Sequence, residues 1–360
     1  YLEIPMGRVY SRRGTDITGD YILNDATAAD LDGDGQMEVI VKRIYNNDAL
    51  FDVANDSAYT FFEAYKLDGT KLWAIDVGPN MISSGQVELN VIAYDWDRDG
   101  KAELAMRAMD GTIIYDAEGN RQATVGSMTA NYRNMISHNA NLTYATAGAE
   151  YLLYMEGATA KLYGEPMEFP LKRLESGETD INAAWGDNTG HRSNKFFFGA
   201  PYLDGRNPSL FLARGIYTRH KMIAYDIDPA THQLTERWRW NCSDGGSPWF
   251  GQGYHNYGIA DVDWDGRDEV VYGSMVIDDN GKGLSTTGLG HGDAQHCSDF
   301  DPYRKGQEIF ACNENAQGAN YRDATTSQIY YMHHYGKDCG RAMAGNFTDK
   351  YAGSQAVAPG

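Results

Sequence analysis

The chain has 360 residues, 42% of them hydrophobic, and sets 50 acidic side chains against 31 Lys plus Arg for a net charge of −19. That apolar content excludes a disordered chain, and the acidity excludes a nucleic-acid binder, which needs a basic footprint for phosphates. No apolar run is long enough to span a bilayer, so no transmembrane segment is expected.

The opening residues, "YLEIPMGRVYSRR", hold neither an initiator Met nor an apolar signal core, so any leader is expected to have been removed or never included. The first element with a pattern is an acidic loop, "DLDGDGQME" (30–38), which runs straight into the apolar stretch "VIVKRI". Its form is D-x-D-x-D-G-x-x-E. It returns as "DWDRDGKAE" (95–103) and "DVDWDGRDE" (261–269), each again followed by a strand-like run. A hard cation takes six to eight oxygens, so alternating carboxylates on a tight loop, closed by a Glu, suit calcium. The candidate ligands are Asp30, Asp32, Asp34 and Glu38, then Asp95, Asp97, Asp99 and Glu103, then Asp261, Asp263, Asp265 and Glu269. The closing Glu comes three residues too early for an EF-hand, and the flanks alternate as strands. Asp and Gly also favour ordinary turns, but three copies with one spacing favour the metal.

Between the loops, "RIYNNDALFD" (43–52) is an Asn- and Asp-rich insertion, either a sugar-binding loop or a capped turn. The stretch "FFEAYKLDGTKLWAIDVG" (61–78) predicts strand, turn and strand, as do "TIIYDAEGNRQATVG" (112–126) and "MIAYDIDPATHQLTERWRW" (222–240). A reduced loop, "YLDGRNPSL" (202–210), keeps only Asp204 and Gly205 and is expected to turn without metal. A fourth acidic copy, "DFDPYRKGQE" (299–308), retains Asp299, Asp301 and Glu308 with one added residue. The repeating unit is therefore a metal-loop strand plus a hairpin. It predicts an all-β fold, a β-propeller, with blades beginning near Asn24, Glu88, Tyr151, Phe196, Asn256, Gly292 and Gly340. The whole chain, 1–360, is expected to form one propeller domain. Because "GRAMAGNFTDKYAG" (340–353) reads as the opening of another blade, that propeller is expected to be incomplete at its C-terminus.

The run-ins to two loops depart from the repeat. "GQGYHNYG" (251–258) and "GLGHGDAQH" (288–296) place His255, His291, Asp293 and His296 just before or on innermost strands, where they could bind a metal or act as acid and base. "LARGIYTRHK" (212–221) concentrates Arg214, Tyr217, Arg219 and His220 in an acidic chain; near a channel the arginines would recognise carboxylates, and on an edge they would be solvated charge. The four cysteines, Cys242, Cys297, Cys312 and Cys339, lack metal-type spacing and are either thiols or up to two disulfides.

Taken together, "NDATAADLDGDGQMEVIVK", "AYKLDGTKLWAIDVG", "YLDGRNPSLFLARGIYTR", "GQGYHNYGIADVDWDGRDEVVYG" and "DGKGLSTTGLGHGDAQHCSDFDP" resemble the rhamnogalacturonan lyases of polysaccharide lyase family eleven. The resemblance implies an eight-bladed propeller with bound calcium that continues past residue 360. It also implies calcium-assisted β-elimination on an acidic pectic polysaccharide, rhamnogalacturonan I, by a secreted, periplasmic or cell-surface enzyme, expected to be a monomer. By the same resemblance, His255, His291 and Asp293 would hold a metal, with His296 behind them. Asn46, Asn47, Asp68 and Arg214 would contact sugar, and Tyr217, Arg219 or Lys282 would be the base. The competing readings are a non-catalytic calcium propeller for glycan binding or adhesion, and a glycoside hydrolase, which needs two opposed carboxylates in its cleft.

Overall fold

A computed structural model describes residues 2–45, 59–81, 91–132 and 144–358. The chain divides into two compact units. The first comprises Tyr1–Ala183, Asp187–Phe196 and Pro229–His232, and the second comprises Ala184–Gly186, Phe197–Asp228 and Gln233–Gly360.

The first unit carries β1 (Tyr21–Ala29), β2 (Glu38–Tyr45), β3 (Phe61–Tyr65), β4 (Lys71–Asp76), β5 (Val91–Tyr94), β6 (Glu103–Met109), β7 (Thr112–Tyr115), β8 (Arg121–Val125), β9 (Glu150–Met155) and β10 (Met167–Glu168). These form two antiparallel sheets, ordered β1-β2-β3-β4-β7-β8 and β10-β9-β6-β5. The second sheet departs from the simple repeat. Its expected outer hairpin, β7–β8, leaves it and pairs with β4, Ile75 facing Ile114. The vacated place beside β6 is filled by β9, with Ala105 opposite Tyr154. Tyr151 is therefore on the third strand of a sheet and does not open a blade. Burial of β6 on both faces fits the arrangement, since "ELAMRAM" is buried at every position, its Arg107 paired with Glu150 of β9, and needs cover on both sides. Trp73, Leu104, Met106, Ile114 and Leu153 form the centre of this unit's core.

A five-residue helix, α1 (Ile181–Trp185), is the only α-helix among the described residues. The second unit then holds three successive four-stranded meanders. They are β11 (Phe196–Gly199, its first residue in the first unit) to β14 through β12 (Leu210–Arg214), β13 (His220–Ile227) and β14 (Leu234–Cys242); β15 (Gly258–Ala260), β16 (Glu269–Tyr272), β17 (Met275–Ile277) and β18 (Gly283–Thr286); and β19 (Gly292–Ser298), β20 (Glu308–Asn313), β21 (Gly318–Asp323) and β22 (Ile329–His334). A two-stranded pair, β23 (Met343–Gly345) and β24 (Gln355–Val357), follows. The first strands of consecutive sheets lie side by side, β15 against β19 and β19 against β23. Second strands such as β20 are wholly buried, whereas fourth strands such as β22 are largely exposed. All four cysteines are thiols.

Strand register places the acidic loops. Ala29 pairs with Glu38, Tyr94 with Glu103, and Ala260 with Glu269, so each loop connects a first strand to a second. His255 and His291 precede first strands and lie at the other end of the same sheets.

Candidate active site and cation-ligand groups

The three acidic loops are bonded alike. In each, the amide after the third Asp returns to the first: Gly35 N–H donates to Asp30 Oδ2 at 2.9 Å, Gly100 to Asp95 at 3.1 Å and Gly266 to Asp261 at 3.0 Å. The closing Glu folds back, one oxygen accepting from the second loop residue: Leu31 at 2.8 Å, Trp96 at 2.9 Å and Val262 at 2.7 Å. The carboxylates converge in the groups Asp30–Asp32–Glu38, Asp95–Asp97–Asp99–Glu103 and Asp261–Asp263–Asp265. Burial, aided by neighbouring carboxylates, pushes Glu103 and Glu269 up to about 8. Asp261 Oδ1 and Glu269 Oε1 are buried with no hydrogen-bond donor. Acceptors orphaned in this way fit a cation. The fourth loop is different. Glu308 still receives Phe300 and Asp301 amides, but Asp299 is exposed, Arg304 approaches Asp301 at 3.5 Å, and Asp299, Asp301 and Glu308 do not form a converging group. Asp204 is occupied by its own loop, accepting from the Arg206 and Asn207 amides.

The second constellation is assembled from distant segments. His255, His291 and Asp293 present ligand atoms within 4.8 Å of one another. His291 is fully buried, and its Nδ1 lies 2.7 Å from the Gly253 carbonyl, which can only accept. The proton is thereby fixed on Nδ1, and Nε2 is turned towards Asp293 Oδ1 at 4.0 Å and Glu314 Oε2 at 3.6 Å. His255 Nε2 lies 3.3 Å from Asp293 Oδ1 and 3.3 Å from the Tyr217 hydroxyl. Imidazole nitrogens facing a shared carboxylate suit a metal that both can ligate. The Tyr217 ring covers His291 at 3.9 Å between centroids, and its backbone is left-handed at φ 64°.

A further histidine secures the frame. His220 is fully buried, and burial lowers it to about 3, so it is neutral. Its Nε2 accepts from Gly253 N–H at 3.1 Å, and its Nδ1 faces the Gly215 carbonyl at 3.4 Å. Gly253 is thus held by one histidine at its amide and another at its carbonyl. No larger residue fits there, because a Cβ would lie 2.6 Å from both His220 and Tyr272. Gly292 is equally confined, its Cβ position being 2.0 Å from the Cys312 carbonyl oxygen. Beside His291 packing thus requires Gly292, whereas Gly288 and Gly290 take left-handed backbone at φ 68° and 81°.

Other candidates fall elsewhere. Arg214 and Arg219 gather with Lys221 around Trp185, at 5.8, 5.5 and 5.5 Å from the ring centroid. Lys282 lies in the β17–β18 turn, at the acidic-loop end of its sheet and away from His255, because β17 leads back towards Glu269. Asp68 caps its own turn, accepting from Thr70 N–H. His296 Nε2 bonds the Ala342 carbonyl at 2.8 Å, which fits a supporting place. Asn46 and Asn47 lie outside the described residues. Sequence reasoning missed Glu314. Its signal was hairpin register, since Gly292 pairs with Asn313 and the next residue therefore comes beside His291.

A family model described as "Rhamnogalacturonan lyase family 11, C-terminal domain" matches residues 1–359. The chain belongs to this family. Rhamnogalacturonan lyase family 11 relatives include the rhamnogalacturonan endolyase YesW of Bacillus subtilis (strain 168), 40% identical over 94% of this chain and 52% of that protein. The exolyase YesX of the same organism is 42% identical over 93% of this chain and 52% of its own length. The crystal structure of the exotype lyase YesX superposes with a TM-score of 0.84 at 38% identity, covering 99% of this chain and 56% of that one. The chain thus spans about half the length of the family 11 lyases it matches.

Proposed function

We propose that this chain forms part of a rhamnogalacturonan lyase that cleaves the rhamnose–galacturonic acid backbone by β-elimination. The observation that carries the reading is the convergence of His255, His291 and Asp293, with Glu314 Oε2 3.6 Å from His291 Nε2, in a chain of this family. Removing the C5 proton of a uronate builds negative charge beside an existing carboxylate. His255, His291 and Asp293, with Glu314 beside them, would hold a divalent cation, which would supply positive charge next to the developing anion. His291 is aimed by its Nδ1 bond to Gly253, Asp293 lies between the two imidazoles, and Tyr217 shields the His291 face from water. Calcium in the acidic loops, with its oxygen ligands, would serve stability. Successive four-stranded meanders with adjacent first strands support a β-propeller, and the polymeric substrate supports a site of action outside the cytoplasm.

The test is a lyase assay on rhamnogalacturonan I that follows ultraviolet absorbance from the unsaturated uronide. Absorbance that rises with calcium and stops with chelator, while circular dichroism shows the fold intact, is the expected result. Reducing ends without absorbance would mean hydrolysis and overturn the proposal.

A further inference from the structure

The segment that follows the last four-stranded sheet is held by little apolar surface. Its strands β23 and β24 pair over three residues each, and a two-stranded ribbon of that length is marginal unless something anchors it. The side chains it buries against the β19–β22 sheet are small. Cys339 and Ala342 join Phe300, Phe310, Cys312 and Ala319 in one cluster, while Met343, Phe347 and Val357 stay exposed. Small side chains remove little area from water, so packing alone gives a weak attachment.

The same segment backs the histidine cluster on its Asp293 side. Cys312 of β20 pairs with Ala294, the residue after Asp293. Gly340 comes so close that a Cβ there would lie 3.3 Å from Asp293 Oδ2. His296 bonds the Ala342 carbonyl at 2.8 Å.

Two thiols meet at this junction. Cys312 and Cys339 are both buried, and their side chains are hydrogen-bonded to each other. The other two cysteines are engaged elsewhere: Cys297 donates to Gln307 Oε1 at 3.4 Å, and Cys242, at the end of β14, is bonded to Ser247. Burial pushes Cys312 up to about 12 and raises Cys339 as well, so both stay protonated and unreactive while the segment is closed. Cys339 is nevertheless flanked by exposed residues, 336–338 and Arg341. Lifting this segment alone bares its thiol.

We propose that Cys312 and Cys339 are a disulfide-forming pair that fastens the 338–345 segment to β20 behind Asp293. The oxidant is a small-molecule disulfide such as oxidised glutathione. The Cys339 thiolate attacks it, forming a mixed disulfide and releasing one glutathione thiolate; the Cys312 thiolate then displaces the second. The protons given up by the two cysteines end on the two glutathione thiols, and one S–S bond is exchanged for another. The new bond closes a loop of about 27 residues, long enough to restrict the unfolded chain substantially.

The test equilibrates the folded chain in a glutathione redox buffer, alkylates it in guanidinium chloride and maps the digest by mass spectrometry. Peptides containing Cys312 and Cys339 should be recovered joined, with Cys242 and Cys297 alkylated. Four alkylated cysteines, or a link that includes Cys242 or Cys297, would overturn the pairing. Scanning calorimetry then reads the fastening: the oxidised chain should melt roughly 5 °C above the chain reduced with dithiothreitol. That difference should vanish in Cys339→Ala. A Cys312–Cys339 link that leaves the midpoint unmoved, or a difference that survives in Cys339→Ala, would overturn the fastening role. Neither readout uses catalytic activity, so both are independent of the lyase reading.

Discussion

The acidic loops and the histidine cleft are both candidate cation sites, built in opposite ways. Each loop closes within nine residues, its Glu returning to the second loop amide, so the ligand set is local and nearly self-sufficient. The histidine cluster draws His255 from ahead of β15, His291 from ahead of β19 and Glu314 from beyond β20, and a backbone carbonyl at Gly253 aims one ligand. A local site is a property of its hairpin and should serve stability. A non-local site exists only once several sheets have packed, and can serve chemistry.

The largest test of that contrast is His291→Ala. Product formation should fall about 10²–10³-fold while calcium binding by the loops persists; equal loss of both would erase the distinction. Glu269→Gln should do the reverse, lowering the thermal midpoint in calcium by roughly 2–4 °C and leaving activity below the transition unchanged. Differential scanning calorimetry beside the uronide assay reads both. The frame behind the cleft should appear in acid. His220 is neutral in the fold down to about 3, whereas the unfolded chain protonates it near its ordinary value of 6.5. Its stabilising contribution is complete above that value and is lost as pH falls from there towards 3, at up to about 1.4 kcal/mol per pH unit. Urea unfolding at pH 7 and pH 5 should show a shallower loss in His220→Gln than in wild type. The smallest effect belongs to Tyr217→Phe, which keeps the ring over His291 and removes the hydroxyl from His255; cleft cation affinity should change about fivefold or less.

The loops were legible because their information is contiguous: D-x-D-x-D-G-x-x-E specifies both the turn and the carboxylates that converge on it. The cleft was half legible. His255, His291 and Asp293 broke the repeat visibly, but Glu314 looks like any acid after a strand until the β19–β20 register is known. Lys282 and Asp68 are polar turn residues whose sheet ends were not evident from spacing. The exchange of β7–β8 for β9 was not readable either. "TIIYDAEGNRQATVG" is a sound hairpin wherever it docks, and only the burial of β6 decides which sheet receives it.

That exchange has a consequence for how the molecule comes apart. In a chain of independent repeats, stability is a sum over neighbours, and one repeat can melt while the next persists. Here the hairpin following β6 completes the sheet that begins at β1, so strands of one sheet of the first unit interrupt the other in sequence. Backbone amides of β4, β6, β7 and β9 should therefore exchange with deuterium as one cooperative block. Deleting residues 91–155 would remove one repeat by sequence and unmake two in space.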